Sequence, residues 1–305
     1  MARALPWNPE IRLEGPGRTR ALLLSGFGSG AETLRDLGDH LRTHAGATVL
    51  LTGLARHAGD ADAFEQSRSW DYLREAEQRF LDFWREQGTP VHLGGYSMGA
   101  LVALVIGARH PEKVAGLVLV SPALRLSSTG KQLVGYTVGS GYYLLLPAGL
   151  LAALAGIAWT ARRRGWSRSR RLLRALGSTA VFATAALGLR AVTVPLAGGG
   201  PLVRNGEEVL PPHFARASLV GSSTLVPLQL AARWQLRRTS LPVCLVFGEA
   251  DETVDVRFGT LRALGRRNVT LHVVPGAPHR VVTSEVCHEV VTGFVTSTAP
   301  RLPAP

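Results

Sequence analysis

Short, continuously apolar runs alternate along this chain with stretches in which apolar residues recur every three or four positions. Arg20–Leu24 (RALLL) reads as a buried strand running into the glycine-rich turn Ser25–Gly30. Leu34, Leu37 and Leu41 keep helical spacing, and Ala47–Leu51 is a second buried strand. A polar stretch from Arg56 to Ser69 leads to a helix carrying Trp70, Leu73, Phe80 and Trp84. Val91–Leu93 enters Gly94-Gly95-Tyr96-Ser97-Met98-Gly99, and the helix that follows stops at His110-Pro111. Val114–Val120 is a further central strand. The alternation resumes with strands at Pro242–Phe247 and Val269–Val274, a helix at Arg257–Gly265 between them, and a closing helix marked by Val286, Val290 and Phe294. Continuously apolar strands separated by helices predict a mostly parallel sheet covered on both faces. Residues 1–125 and 241–305 should therefore form one doubly wound α/β core, interrupted once by residues 126–240.

Composition narrows the class. With 305 residues, 46% hydrophobic and 18% charged, the chain is too apolar for disorder and long enough for one large domain with an insertion. Its two cysteines, Cys244 and Cys287, cannot staple a secreted fold and suit a reducing compartment or indifference to redox. The start, MARALPWNPEIRLEG, holds no apolar run of signal-peptide length before Pro6 and Pro9 interrupt it, so a cytoplasmic location is expected.

A net charge of +12 suggests a nucleic-acid binder until it is divided along the chain. Residues 126–240 hold 14 of the 34 basic residues and 2 of the 22 acidic ones, so the remainder is neutral. Seven arginines crowd into 162–174, residues 133–161 carry no charge, and 175–203 carry only Arg190. An apolar–basic–apolar layout is not the basic face with interleaved aromatics that nucleic acid requires, and no nucleic-acid partner is expected. It suits a lipid surface or an acyl chain instead.

The strongest chemical signal is Gly95-Tyr96-Ser97-Met98-Gly99, a G-x-S-x-G pentapeptide between strand and helix. Such a turn exposes a nucleophile, Ser97, at the carboxyl end of the sheet. It also aims the Met98 backbone N–H, at a helix N-terminus, where an oxyanion would form. A serine needs a base, and the base a carboxylate to orient it. Asp251 lies in the turn directly after a strand, which favours it over its neighbours Glu249 and Asp255. His279 lies in the loop Pro275–His279 after the last strand, whereas His272 falls inside a strand and His288 inside a helix. The Phe27 backbone N–H, in the first glycine-rich turn, is the natural second oxyanion donor. No metal-ligand cluster, P-loop or dinucleotide fingerprint is present, so no cofactor or metal is expected.

The pieces LLLSGFGSGAETLRDLGDHL, GYSMG, FGEADETVD and PHRVVTSEVCHEVVTGF, with the Trp70-Asp71-Tyr72 helix, resemble an α/β-hydrolase. Within that superfamily they are most similar to bacterial carboxylesterases and monoacylglycerol lipases. The resemblance implies Ser97 as nucleophile, Asp251 as acid, His279 as base, and Phe27 and Met98 as oxyanion donors. It departs at Ser25, where the family usually has His. The insertion stands where the superfamily places its cap, after the strand that follows the nucleophile helix. Three readings of this segment stay open: a plain cap, a lid docking on anionic lipid through residues 133–203, and a membrane hairpin with Tyr142–Trp159 as its first span. Pro147 and five glycines between Gly135 and Gly156 predict kinked or broken helices there. The function expected is hydrolysis of a medium or long acyl ester. The alternatives are acyl transfer or thioester or amide cleavage by the same triad, and a membrane-associated binding protein with a vestigial site.

Overall fold

The computed structural model describes residues 3–4, 7–54, 64, 67–128, 145–195, 202–204, 207–210, 214 and 216–299. Its centre is a seven-stranded sheet: β1 (Glu10–Leu13), β2 (Arg20–Leu24), β3 (Thr48–Thr52), β4 (Val91–Tyr96), β5 (Val114–Val120), β6 (Val243–Gly248) and β7 (Val269–Val274). The spatial order is β7-β6-β5-β4-β2-β3-β1. All neighbours are parallel except β1, which pairs antiparallel with β3. The sequence pattern leaves β1 unassigned because an edge strand buries one face only. Its EIRL alternates exposed and buried positions, unlike the fully buried β3 or β4.

Eight helices are needed below: α1 (Arg35–His44), α2 (Ser69–Gln87), α3 (Met98–Arg109), α4 (Leu146–Arg164), α5 (Arg168–Ala191), α6 (Leu225–Arg238), α7 (Val256–Ala263) and α8 (Glu285–Ser297). Successive strand residues serve opposite faces. Leu22 and Leu24 enter the core shared with α2, α3 and α6, while Ala21 and Leu23 enter the one shared with α1 and α8. Cys244 and Cys287 are free thiols buried in the second core, and burial pushes both up to about 12. The chain leaves β2 for β3 on one side and returns to β4 on the other. The carboxyl ends of β2 and β4 therefore flank the crevice where doubly wound sheets hold their chemistry.

Parts of 126–240 differ in how they meet this core. Helix α6 packs against α3, with Leu228, Ala232 and Leu236 in the first core. Its Gln229 side chain donates to the Ala123 carbonyl at 2.8 Å. Helices α4 and α5 instead form an antiparallel pair, joined at the arginine-rich turn, in which Ala161 is the only described residue that is buried. Of the positions expected to kink or break the helices here, Gly135, Gly139 and Gly141 lie outside the described residues, and α4 continues without a break across Pro147, Gly149 and Gly156. Pro147 lies in its first turn, where a missing N–H breaks no bond, and Gly149 lets Phe182 of α5 approach closely. Among the described residues no helix is long and apolar enough to cross a membrane, and the start of the expected span, Tyr142–Leu144, lies outside them.

Candidate active site

The turn from β4 into α3 carries Ser97 with φ 55° and ψ −115°, a left-handed conformation that costs a serine roughly 1–3 kcal/mol. Sterics around it explain the flanking glycines. A Cβ on Gly95 would stand 2.5 Å from the Gly99 carbonyl carbon, and one on Gly99 would stand 2.3 Å from the Leu24 carbonyl oxygen. Helix α3 is thus drawn against the ends of β2 and β4, and the turn that carries Ser97 is pinned. Met98 is the first residue of α3, so its N–H has no intrahelical acceptor. The loop bearing Phe27 lies alongside, since a Cβ on Gly26 would stand 3.4 Å from Ser97 Cβ. At Ser25, where a histidine is usual, the hydroxyl donates to the Ser29 carbonyl at 2.6 Å and ties the loop to itself.

Three side chains from three sheet ends meet here. Asp251, in the turn after β6, has a fully buried side chain. Its Oδ1 accepts the N–H groups of Thr253 and Val254, each at 2.9 Å, and its Oδ2 lies 2.7 Å from His279 Nδ1. Burial alone would raise the Asp251 pKa; the bond to His279, its charge and the two backbone donors outweigh it and hold the carboxyl below its ordinary value. A carboxylate can only accept, so Nδ1 carries the proton and Nε2 is left as an acceptor. Nε2 lies 3.1 Å from Ser97 Oγ, in line to receive the hydroxyl proton.

The competing residues have other partners. The Asp255 side chain caps α7 by accepting from Phe258 N at 2.8 Å and pairs with Arg125 at 3.5 Å. Glu249 accepts from Gly276 N at 2.9 Å. His288, in α8, bonds the Val282 carbonyl in the turn ahead of that helix at 2.8 Å, and His272 sits in β7. Among the described residues no group of three His, Cys, Asp or Glu side chains could hold a metal.

Two supports lie outside the expectations drawn from the sequence. A Cβ on Gly248 would stand 2.3 Å from the Ala277 carbonyl oxygen, so only glycine lets the His279 loop fold onto the end of β6. Ala250 N then bonds that same carbonyl at 2.9 Å. Tyr96, 5.1 Å from the His279 ring, is buried, and burial raises its phenol well above the ordinary value while the charge of Arg280 pulls the other way. The glycine ending a strand before the acid turn was a visible signal; the Tyr96–Arg280 contact had none.

Behind the loop that carries Phe27 lies a buried aromatic cluster. Phe27 lies 5.1 Å from Phe64, Phe64 stacks at 4.3 Å on Phe214, and Trp7 is 4.6 Å from Phe214. Phe214 N also donates to the Gly28 carbonyl at 3.0 Å, so part of the 126–240 segment is hydrogen-bonded to the loop next to Ser97.

Comparison with known proteins bears on the fold. Residues 16–152 match the family described as serine aminopeptidase, S33. A curated relative, the dihydrolipoyllysine-residue acetyltransferase component of an acetoin cleaving system from Pseudomonas putida, is 31% identical over 150 residues, which is 48% of this chain and 37% of that protein. The chain thus spans well under half the length of that relative. Among solved structures, a metagenome-derived lipolytic enzyme of the pair LipS and LipT superposes with a TM-score of 0.66 at 18% identity, covering 97% of this chain and 100% of its own. The monoacylglycerol lipase of Paleococcus ferrophilus gives 0.64 at 18%, covering 95% and 98%. A soluble variant of the monoglyceride lipase of Saccharomyces cerevisiae gives 0.62 at 14%, covering 96% and 92%. At these identities the likeness is one of fold. The chain has the α/β-hydrolase fold, and the solved structures it resembles include lipases and esterases.

Proposed function

We propose that this protein is a serine hydrolase of carboxylic esters with an apolar acyl group, acting through an acyl-enzyme on Ser97. The observation that carries the reading is the unbroken hydrogen-bond chain from Asp251 through His279 to a serine held on a strained turn at a helix N-terminus. In the first half-reaction Ser97 Oγ bonds to the ester carbonyl carbon as its proton passes to His279 Nε2. Asp251 stabilises the imidazolium that forms. The negative charge collects on the carbonyl oxygen, where the Met98 and Phe27 N–H groups act as donors. Collapse breaks the bond to the alcohol, which leaves with the proton from His279. A water then loses its proton to the same nitrogen, attacks the acyl carbon and releases the acid, and Ser97 recovers its proton.

The half-buried Phe27, backed by the buried Phe64 and Phe214, supports a lipid-like rather than a charged substrate, because an apolar side chain beside Ser97 gains by being covered by an acyl chain and would cost a charged group its hydration. Within residues 126–240, the part that carries Phe214 and Ala217 acts in this reading as a cap, supported by their packing into that cluster.

The test is a p-nitrophenyl ester series of increasing acyl length, with fluorophosphonate labelling. Labelling should fall on Ser97, Ser97→Ala should abolish turnover, and kcat/KM should rise with acyl length. An unlabelled Ser97, or a Ser97→Ala variant as active as the parent, would refute it. Partition of the acyl-enzyme between water and added alcohol separates hydrolysis from acyl transfer.

A further inference from the structure

The α4–α5 hairpin combines features that are costly in water. From Leu146 to Ala161, and again from Ala175 to Leu189, the sequence has no charged residue. A helix apolar on every side is ordinarily buried. Here each helix turns one stripe to the other and leaves the opposite stripe bare. On α5, Ala175, Ser178, Phe182 and Ala186 are the partly covered positions, and Phe182 meets Gly149 of α4. Away from that stripe on α5, Leu173, Leu176 and Leu187 are 70%, 57% and 66% exposed. On α4, Leu151 and Trp159 are 68% and 59% exposed and fall two turns apart on one face.

At the turn between the helices the problem is charge. Arg162, Arg163 and Arg164 end α4, where the helix dipole favours cations, but the other four arginines of the cluster, Arg168, Arg170, Arg171 and Arg174, open α5, where it opposes them. The first turn of α5 has no acidic residue, and no described acidic side chain pairs with any of the seven. Arg163 stacks on Trp159 at 4.2 Å and Arg174 on Trp166 at 4.6 Å, so tryptophan and arginine share one level at the end of an apolar rod. That is the side-chain order of a lipid interface: apolar chains below, indole at the boundary, guanidinium among the phosphates.

We propose that the α4–α5 hairpin docks this protein on an anionic lipid bilayer, with the arginine turn on the headgroups and the bare Leu and Trp stripes in the outer acyl layer. The charge argues against a second copy of the chain as occupant. Residues 126–206 contain no acidic side chain, so pairing two hairpins would add like charges. The insertion is shallow. Leu146 to Ala161 measures about 24 Å at ~1.5 Å per residue, short of the roughly 30 Å of a bilayer's hydrocarbon core. This inference stands on the hairpin's own surface; it supplies the lipid substrate of the proposed reaction but does not depend on that chemistry.

The experiment is flotation of the full chain carrying Ser97→Ala with vesicles of phosphatidylcholine alone, and of two parts phosphatidylcholine to one part phosphatidylglycerol. The protein should float with the mixed vesicles and bind pure phosphatidylcholine at least tenfold more weakly. Each arginine facing an anionic surface is worth about fivefold in affinity, so Arg162→Gln, Arg163→Gln and Arg164→Gln together should cost at least tenfold. Leu151→Asp with Leu176→Asp should abolish the binding that survives high salt. Absence of flotation with mixed vesicles overturns the proposal, as does binding that the leucine variants leave unchanged. So does a stable oligomer in vesicle-free buffer that those variants dissolve, because a protein partner would then cover the face. In the Ser97 background the same hairpin variants should hydrolyse a short soluble ester at the unaltered rate, which shows that they fold. A parent that binds vesicles yet hydrolyses no ester would refute the proposed reaction and leave the docking intact.

Discussion

Asp251→Asn tests the proposed site most sharply, because the surroundings of Asp251 dictate how the amide must sit. Oδ1 accepts two backbone N–H groups at 2.9 Å, and Oδ2 faces His279 Nδ1 at 2.7 Å. An asparagine keeps the backbone bonds only by placing its oxygen on Thr253 N and Val254 N, which turns its NH2 toward Nδ1. That nitrogen must then accept, and the imidazole proton moves to Nε2, the atom 3.1 Å from Ser97 Oγ that has to receive the hydroxyl proton. Restoring an Nδ1–H leaves two buried donors without acceptors in either orientation of the amide. At ~1–3 kcal/mol each this is about 2–6 kcal/mol, or roughly 30-fold to 10⁴-fold in rate. The comparable change in a Ser-His-Asp protease costs about 10⁴-fold, at the upper end of that range. Steady-state hydrolysis of a p-nitrophenyl ester should show the loss in kcat with KM nearly unchanged, and fluorophosphonate labelling of Ser97 should slow in parallel. An Asn variant within threefold of the parent in kcat would show that Asp251 does not set the imidazole tautomer.

Two further outcomes follow from the geometry. Gly99→Ala places a methyl 2.3 Å from the Leu24 carbonyl, so the turn must open; a loss of about 1–3 kcal/mol in urea unfolding should accompany a collapse of Ser97 labelling, and an active, equally stable variant would contradict the packing argument. His92 bonds Thr298 Oγ1 at 2.9 Å, and burial lowers its pKa from 6.5 to about 4, so it is neutral in the folded protein. The unfolded chain takes up the proton first as the pH falls, and stability should drop by about 3 kcal/mol between roughly pH 6.5 and 4. His92→Gln should flatten that acid limb of the unfolding midpoint; an unchanged slope would assign the acid loss to other groups.

The core was legible in the sequence because its signals are local. A buried parallel strand is a continuous apolar run whatever lies beside it, and the pentapeptide around Ser97 needs its glycines for contacts made within one strand–turn–helix. The order Ser97, Asp251, His279 followed from each residue standing just past a strand. Distances were another matter. The 2.7 Å and 3.1 Å separations depend on Gly248 admitting the His279 loop and on two amides fixing the Asp251 rotamer, contacts between segments remote in the chain. Edge strand β1 escaped notice because half of its surface is solvated. The expected break at Pro147 did not occur, since a proline in the first turn of a helix interrupts no hydrogen bond.

Residues 126–240 show the division most clearly. Composition along the chain was enough to isolate their charge excess and their two apolar stretches, since both are sums over neighbours. Only the tertiary structure separated α6, whose apolar face lies against α3, from the α4–α5 hairpin, whose apolar faces lie against water. Hydrophobicity measures what a residue gains from burial; whether a partner is there to bury it depends on the packing of distant segments, which no local pattern records.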